Sequence, residues 1–310
     1  MERLIIDTDP GEDDALAIMM AAAHPNAQID ALTVVAGNVG LAHTTNNAGV
    51  ILDVLGLDVP LYAGCERPFV QAPRDAAYAH GQDGLGNTGY KSDRAIEPAH
   101  AAIELVRRAS EAPQTLTLVL LGPMTNLATA LKLDPTLPQK FKRVIAMAGA
   151  VTARGNVNNC AEFNVIADPE AAHVVFTAWA EAQRQIELAD WELTMRHGFT
   201  KEILASWEAI DTPKAAFFTA ISAHSNQFIQ EVRRRTTQYF ADPVAMAVAL
   251  EPAIVVQAEQ HHLAIELSGT QTRGQTVVDW FDSSNQPPNT RIALRLDHAR
   301  LLALVAAALE

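Results

Sequence analysis

The stretch DTDPGEDDALAI, residues 7–18, packs four aspartates and a glutamate into positions 7–14, directly behind the apolar run at 4–6. Carboxylates this close repel one another unless solvent, hydrogen bonds or a cation relieves them. Four chemistries compete for such a knot. Helix capping would use Asp13 as the N-cap and Asp14 against the helix dipole, which accounts for one or two of the five acids. An EF-hand loop counted from Asp7 needs glycine sixth and glutamate twelfth; Glu12 and Ile18 stand there, and the pattern fails. An Asp-x-Asp phosphatase would use Asp7 as nucleophile and Asp9 as acid at the end of a first strand. It also needs a later lysine and a second acidic pair, and Pro10-Gly11 departs from its usual continuation. A calcium site fed from several loops is the fourth, because hard cations take carboxylates, backbone carbonyls and water. FADPVAMA (240–247) offers it a distant Asp242 just before another helix start. A water on such a cation, beside one more carboxylate, is a nucleophile at neutral pH.

The elements that must position these residues alternate. RLIID (3–7) reads as a buried strand, 13–24 as a helix stopped at His24-Pro25, and 29–37 as the next strand. A helix follows at about 43–55, then a Gly-rich irregular segment over 63–97. The rhythm resumes with a helix at 98–110, a strand at 115–122, a helix at 124–133 and a strand at 143–149. A loop runs to about 164, and Asp168-Pro169 opens another helix. Helices fill 199–234, another begins at 242, short β segments span 253–292, and a last helix covers 297–309. The expectation is an α/β fold: a mostly parallel, doubly covered central sheet of Rossmann-like order, with extra helices after residue 190. No linker or repeat divides the chain, so 1–310 reads as one domain. Ligands of such sheets bind at the carboxyl ends of strands, where residues 7–14 stand.

Composition is that of an ordinary globular chain, 49% hydrophobic and 19% charged. A net charge of −13 makes duplex nucleic acid and anionic membranes poor partners and leaves a small molecule as the expected ligand. Cys65 and Cys160 have neither metal-ligand spacing nor a disulfide framework, which suggests free thiols in a reducing compartment. The N-terminal apolar run is too short for a signal peptide, and none reaches a membrane-spanning length. A cytoplasmic location is expected.

DTDPGEDDALAI resembles the N-terminal signature of the nucleoside hydrolases of the inosine/uridine-preferring type. VVAGNVG (34–40), AHGQDGLG (79–86), LGPMTNLA (121–128), GNVNNCAEFNVIADPEAAHVVF (155–176) and DPVAMA (242–247) resemble that family too, in order and spacing. The resemblance implies Ca²⁺-dependent hydrolysis of the N-glycosidic bond of ribonucleosides to ribose and a free purine or pyrimidine base, as in nucleoside salvage. It implies that Asp9, Asp14, Asp242 and the backbone carbonyl of Leu121 hold the metal, and that Asp9 also activates a metal-bound water. Asp13, Asn38, Asn156, Glu162 and Asn164 would bind the ribose, and His80 would serve at the leaving base. Members of the family are commonly homodimers or homotetramers. The residue types suit the reaction, since an oxocarbenium-like sugar favours carboxylates and amide oxygens around it.

Plainer roles compete at several of these positions. Asn38 beside Gly37 also reads as a turn residue, and Thr125 and Asn126 as caps of the helix they open. Glu162 and Asn164 flank Phe163 and would share one side of an extended segment. Asp7 reads as a brace for the acidic loop and Glu12 as a solvated acid. Ala241 stands where members of the family often carry a histidine that protonates the departing base. Either the acid comes from the helix around 217–235, with His224 and Tyr239 as candidates, or the chain is a catalytically impaired nucleoside- or ribose-binding homologue.

Overall fold

The computed structural model describes residues 1–310. Its strands are β1 (Glu2–Thr8), β2 (Ala27–Val34), β3 (Leu61–Ala63), β4 (Leu116–Leu120), β5 (Arg143–Met147), β6 (Ile186–Ala189), β7 (Val255–His261), β8 (Leu263–Ile265), β9 (Thr276–Val278) and β10 (Thr290–Leu296). Eight of them form one sheet in the order β3-β2-β1-β4-β5-β6-β10-β7, while β8 and β9 pair separately. Within the large sheet only β10 and β7 run antiparallel. The order 3-2-1-4-5-6 is that of the doubly wound sheet, with its switch of direction between β1 and β4.

Both faces are covered, which is why β1 reads as a continuous apolar run. Leu4 and Ile6 face a core shared with the helices Glu12–Ala23, Ala241–Leu250 and His298–Leu309. Ile5, pointing the other way, packs with the helices Ala101–Glu111, Thr125–Leu133 and Pro169–Glu181. Every residue of Ala241–Leu250 is buried, so that helix shows no polar face and its one acid, Asp242, lies inside the protein.

The extra helices expected after residue 190 are present, and beyond them β10 returns to pair with β6 and places β7 at the sheet edge. The helices expected over 199–234 are Lys201–Glu208 and Pro213–Glu231; the second begins at a proline, with Thr212 Oγ1 accepting from the Ala215 amide. Inside the irregular 63–97 segment sits a one-turn helix, Ala77–His80.

Candidate active site

Asp9 follows the end of β1, and Leu121 follows the end of its neighbour β4, so the two flank the switch point. Between Asp9 and the helix Glu12–Ala23 the chain turns at Pro10-Gly11. The Gly11 amide donates to Asp14 Oδ2 at 2.9 Å, and Thr8 Oγ1 donates to Asp14 Oδ1. Asp14 therefore does cap this turn, but its carboxylate also faces the other acids. Asn38, in the loop after β2, ties the knot together. Its amide N–H reaches Asp9 Oδ2 at 2.7 Å, and its side-chain nitrogen reaches the Asp9 carbonyl at 3.1 Å and Asp14 Oδ2 at 3.2 Å. Glycines let the loops close on Asp9: a Cβ added at Gly37 would lie 2.0 Å from Asp9 Oδ2, and one at Gly122 2.5 Å from Oδ1.

Asp242 approaches from the first turn of Ala241–Leu250. One oxygen each of Asp13, Asp14 and Asp242 lie within 4.8 Å of one another. Asp9 stands beside this triplet with Oδ2 committed to Asn38. Asp13 Oδ2 accepts from the Ala241 amide at 3.3 Å, whereas Asp13 Oδ1 is buried with no partner. Burial and the charges of Asp14 and Asp13 hold the Asp9 carboxyl well above the usual range, and burial with Asp13, Asp14 and Asp9 does the same to Asp242. Burial, then Asp14 and Glu12, push Asp13 up to about 7, and burial raises Asp14. A site that penalises its own ionised carboxylates this strongly, with an unpartnered oxygen inside it, fits a hard divalent cation.

The remaining expected residues fall around the same cavity, which has a volume of about 230 Å³. Leu121 lines it, and its carbonyl accepts from Asn164 Nδ2 at 2.7 Å; the same nitrogen donates to the Met147 carbonyl at 3.0 Å. Asn164 thus ties the ends of β4 and β5, leaving its Oδ1 free. Glu162 and Asn164 are not in an extended segment. Glu162 caps the helix Phe163–Ala167, accepting from the amides of Asn164, Val165 and Gly149. Burial nonetheless pushes its carboxyl up to about 7. Asn156 Oδ1 accepts from the Phe163 amide at 2.9 Å, and its side-chain nitrogen remains available.

His80 sits on the one-turn helix with Nδ1 at 2.6 Å from Glu12 Oε2. Glu12 is consequently not solvated but buried, and lines the cavity. Burial alone would lower the His80 pKa; Glu12, then Asp13 and Asp14, outweigh it and raise it to about 9.

Other expectations do not hold. Asp7 is fully buried, accepting from Thr33 Oγ1 at 2.6 Å and Asn126 Nδ2 at 2.9 Å, and is absent from the cavity lining. It has no access to a phosphate ester. Asn126 also bonds the Val34 carbonyl and the Cys65 amide, and Thr125 Oγ1 bonds Asp168; neither caps its helix. His224 is outside the cavity lining, with Nδ1 at 3.5 Å from Asn87 Nδ2 and Nε2 buried without a partner. Tyr239 does line the cavity, together with Trp191, Phe228, Arg233 and Arg235, which spacing alone did not single out.

Residues 4–303 match the family described as "Inosine-uridine preferring nucleoside hydrolase". The inosine-uridine preferring nucleoside hydrolase of Crithidia fasciculata is 35% identical over 100% of this chain and 98% of its own length. The non-specific ribonucleoside hydrolase RihC of Escherichia coli is 34% identical over 95% of this chain and 93% of its own. The structure of a plant nucleoside hydrolase superposes with a TM-score of 0.92 at 32% identity, over 99% of this chain and 98% of the other. With acids gathered at the switch point and similarity end to end, the chain belongs to the inosine-uridine preferring nucleoside hydrolases, enzymes that hydrolyse the N-glycosidic bond of nucleosides.

Proposed function

We propose that this nucleoside hydrolase cleaves ribonucleosides by a Ca²⁺-dependent route in which Asp9 accepts the proton of the attacking water, and that residues 1–310 act as one domain. The observation that carries the reading is the cluster of buried carboxylates at the β1–β4 switch, with Asp13 Oδ1 unpartnered inside it. Asp14, Asp242 and the Leu121 carbonyl would hold the ion, with Asp9 alongside. A bound divalent cation would offset the carboxylate charge and acidify a water beside it.

The protein's own groups divide the remaining work. Asp9 Oδ2 is fixed by the Asn38 amide, so the carboxylate is aimed and Oδ1 is left to take the proton. Asp13 Oδ1 accepts a ribose hydroxyl. Asn156 offers an amide N–H, while Asn38, Glu162 and Asn164 offer acceptor oxygens around the ring. As the N-glycosidic bond breaks, the ring turns cationic, and this buried negative surface stabilises it. A site built to satisfy three hydroxyls discriminates against deoxyribose, because the missing hydroxyl leaves a buried polar group unpaired. His80, with Nε2 unclaimed by the protein, stands at the base side.

Reducing-sugar release from inosine and uridine tests this. Asp9→Asn should lower kcat by about 10³-fold or more while ribose still raises the melting temperature. Full cleavage by Asp9→Asn would remove Asp9 from the mechanism. Ala241 favours one second reading, a homologue that binds nucleosides without turnover; stabilisation by ribose with no product from any nucleoside would establish it.

A further inference from the structure

We propose that Glu192 is a positioning residue for the sugar: its buried carboxylate holds residues 152–155 in place, so that Asn156 meets the ribose already oriented. The proposal rests on the reading above in which Asn156 binds the ribose. Asn156 lies on the loop that leaves β5 and returns at Glu162, and Gly155, Asn156 and Val157 of that loop line the cavity. Glu192 stands in the first turn of a different element, the helix Trp191–Arg196. It is 4% exposed. Its Oε1 accepts from the Thr152 amide at 3.0 Å and the Arg154 amide at 3.3 Å, and its Oε2 from Thr152 Oγ1 at 2.6 Å. Every hydrogen bond of this side chain therefore goes to two residues just upstream of Asn156.

A glutamate is seldom buried unless it is paired, and here the three donors of the loop are what offsets its lost hydration. The grip encloses a strained residue. Ala153, between Thr152 and Arg154, has a φ of 59°, the left-handed region that a residue with a Cβ avoids. Such a conformation persists where its surroundings over-determine it, and bonds to both neighbours do so. Gly155 follows, pressed against the returning arm of the loop: a Cβ there would lie 2.2 Å from the Ala161 carbonyl oxygen. Asn156 is next, with Oδ1 fixed by the Phe163 amide at 2.9 Å. Its side-chain nitrogen is aimed only if both arms of the loop are fixed, and Glu192 fixes the first.

The simpler alternative is that Glu192 serves the dipole of its own helix. Asp190 already caps that helix, accepting from the Leu193 amide at 2.8 Å, and an acid serving the dipole needs neither burial nor bonds to another loop. What Glu192 supplies is preorganisation. A loop released into solution must be ordered again when ribose binds, and that cost falls equally on the bound substrate and on the transition state. The loss should therefore appear in KM rather than in kcat.

A double-mutant cycle separates the two. Glu192→Ala, Asn156→Ala and the double variant are assayed on inosine in saturating CaCl₂. Glu192→Ala should raise KM about 30-fold with kcat within about threefold, and should add less than about threefold to the loss already caused by Asn156→Ala. Glu192→Gln keeps an acceptor for the two amides and should bring KM back to within about fivefold of wild type. Thr152→Val, at an exposed position, removes only the hydroxyl bond; it should raise KM about fivefold, again only where Asn156 is present. An unchanged KM in Glu192→Ala or, where that variant does not fold, in Thr152→Val would overturn the proposal. So would equal losses with and without Asn156. An Asn156→Ala enzyme as active as wild type would remove Asn156 from ribose binding first, and this proposal with it.

Discussion

Removal of divalent cation is the most direct perturbation of the acid cluster. Asp9, Asp13, Asp14 and Asp242 are all raised foremost by burial and, in three of them, next by one another's charge. The sign of the effect follows. An acid whose folded pKa lies above its unfolded value contributes stability below the unfolded pKa, and that contribution is lost as pH rises through the folded one. Cation-free protein should therefore weaken as pH climbs from about 4 towards the Asp13 value of about 7. A cation binding only the folded chain reverses this. At a hundred times its Kd it adds about 2.7 kcal/mol. With roughly 2.1 cal/mol/K of unfolding entropy per residue over 310 residues, that raises Tm by about 4 °C. Differential scanning calorimetry in EDTA and in CaCl₂, at pH 5 and pH 8, measures it. The shift should be larger at pH 8, where protons no longer compete. Asp242→Asn should cut it below about 1 °C and leave the cation-free protein more stable than wild type. An equal shift in Asp242→Asn, or none with any divalent cation, would refute the cage.

Asp7→Asn should keep kcat/KM within about threefold and cost no stability at pH 8, because burial already holds that carboxyl up at about 7; a hundredfold loss would restore Asp7 as a nucleophile. Gly37→Ala drives a methyl group to 2.0 Å from Asp9 Oδ2, so kcat should fall about 100-fold with unchanged circular dichroism, and normal turnover would show that Asp9 need not be held. His197, whose Nε2 accepts from the Leu296 amide at 3.0 Å, is pushed down to about 4 by burial and by the charges of His298 and Arg196. Its contribution is full above about 6.5 and is lost as pH falls through about 4, a change of roughly 3 kcal/mol. Urea midpoints between pH 7 and pH 4 should fall less steeply for His197→Asn than for wild type, and parallel curves would contradict the assignment.

The parallel sheet was legible because strands buried on both faces carry unbroken apolar runs, as Leu4–Ile6 of β1 and Leu118–Leu120 of β4 do. β3 and β6 escaped notice at three and four residues, too short for any periodicity. The acidic knot stood out because so much charge in so few positions needs an explanation, and the similarity of the later loops supplied Asp242. Glu12 was misread for a reason of distance: an acid in the first turn of a helix usually meets water, and here His80, 68 residues later, closes over it. Glu162 and Asn164 were placed in an extended segment, but a glutamate that can reach the amides two and three residues on ends that segment and starts a helix.

The base end was the least legible part, and its construction explains why. At the sugar end, each side chain is held by backbone: Asp9 and Asp14 by amides of Asn38 and Gly11, Glu162 by three amides, and Asn164 on the carbonyls at two strand ends. Moving any of these requires moving the sheet. At the base end, Arg233, Arg235, Tyr239 and Trp191 are held by ring stacking, and the arginines by nothing stronger. Sites on strand ends and first helical turns are more precise than sites on loops. Under the proposed function, the sugar chemistry is fixed by the fold, while the choice of base would be free to vary with a few side chains. Ala241 and Asp242 mark the boundary, adjacent residues on one helical turn: the aspartate faces the acid cluster, and the alanine lines the cavity without a proton to offer. A histidine at Ala241 would add an acid without disturbing any backbone bond to the carboxylates, so base preference can change there while ribose cleavage stays intact.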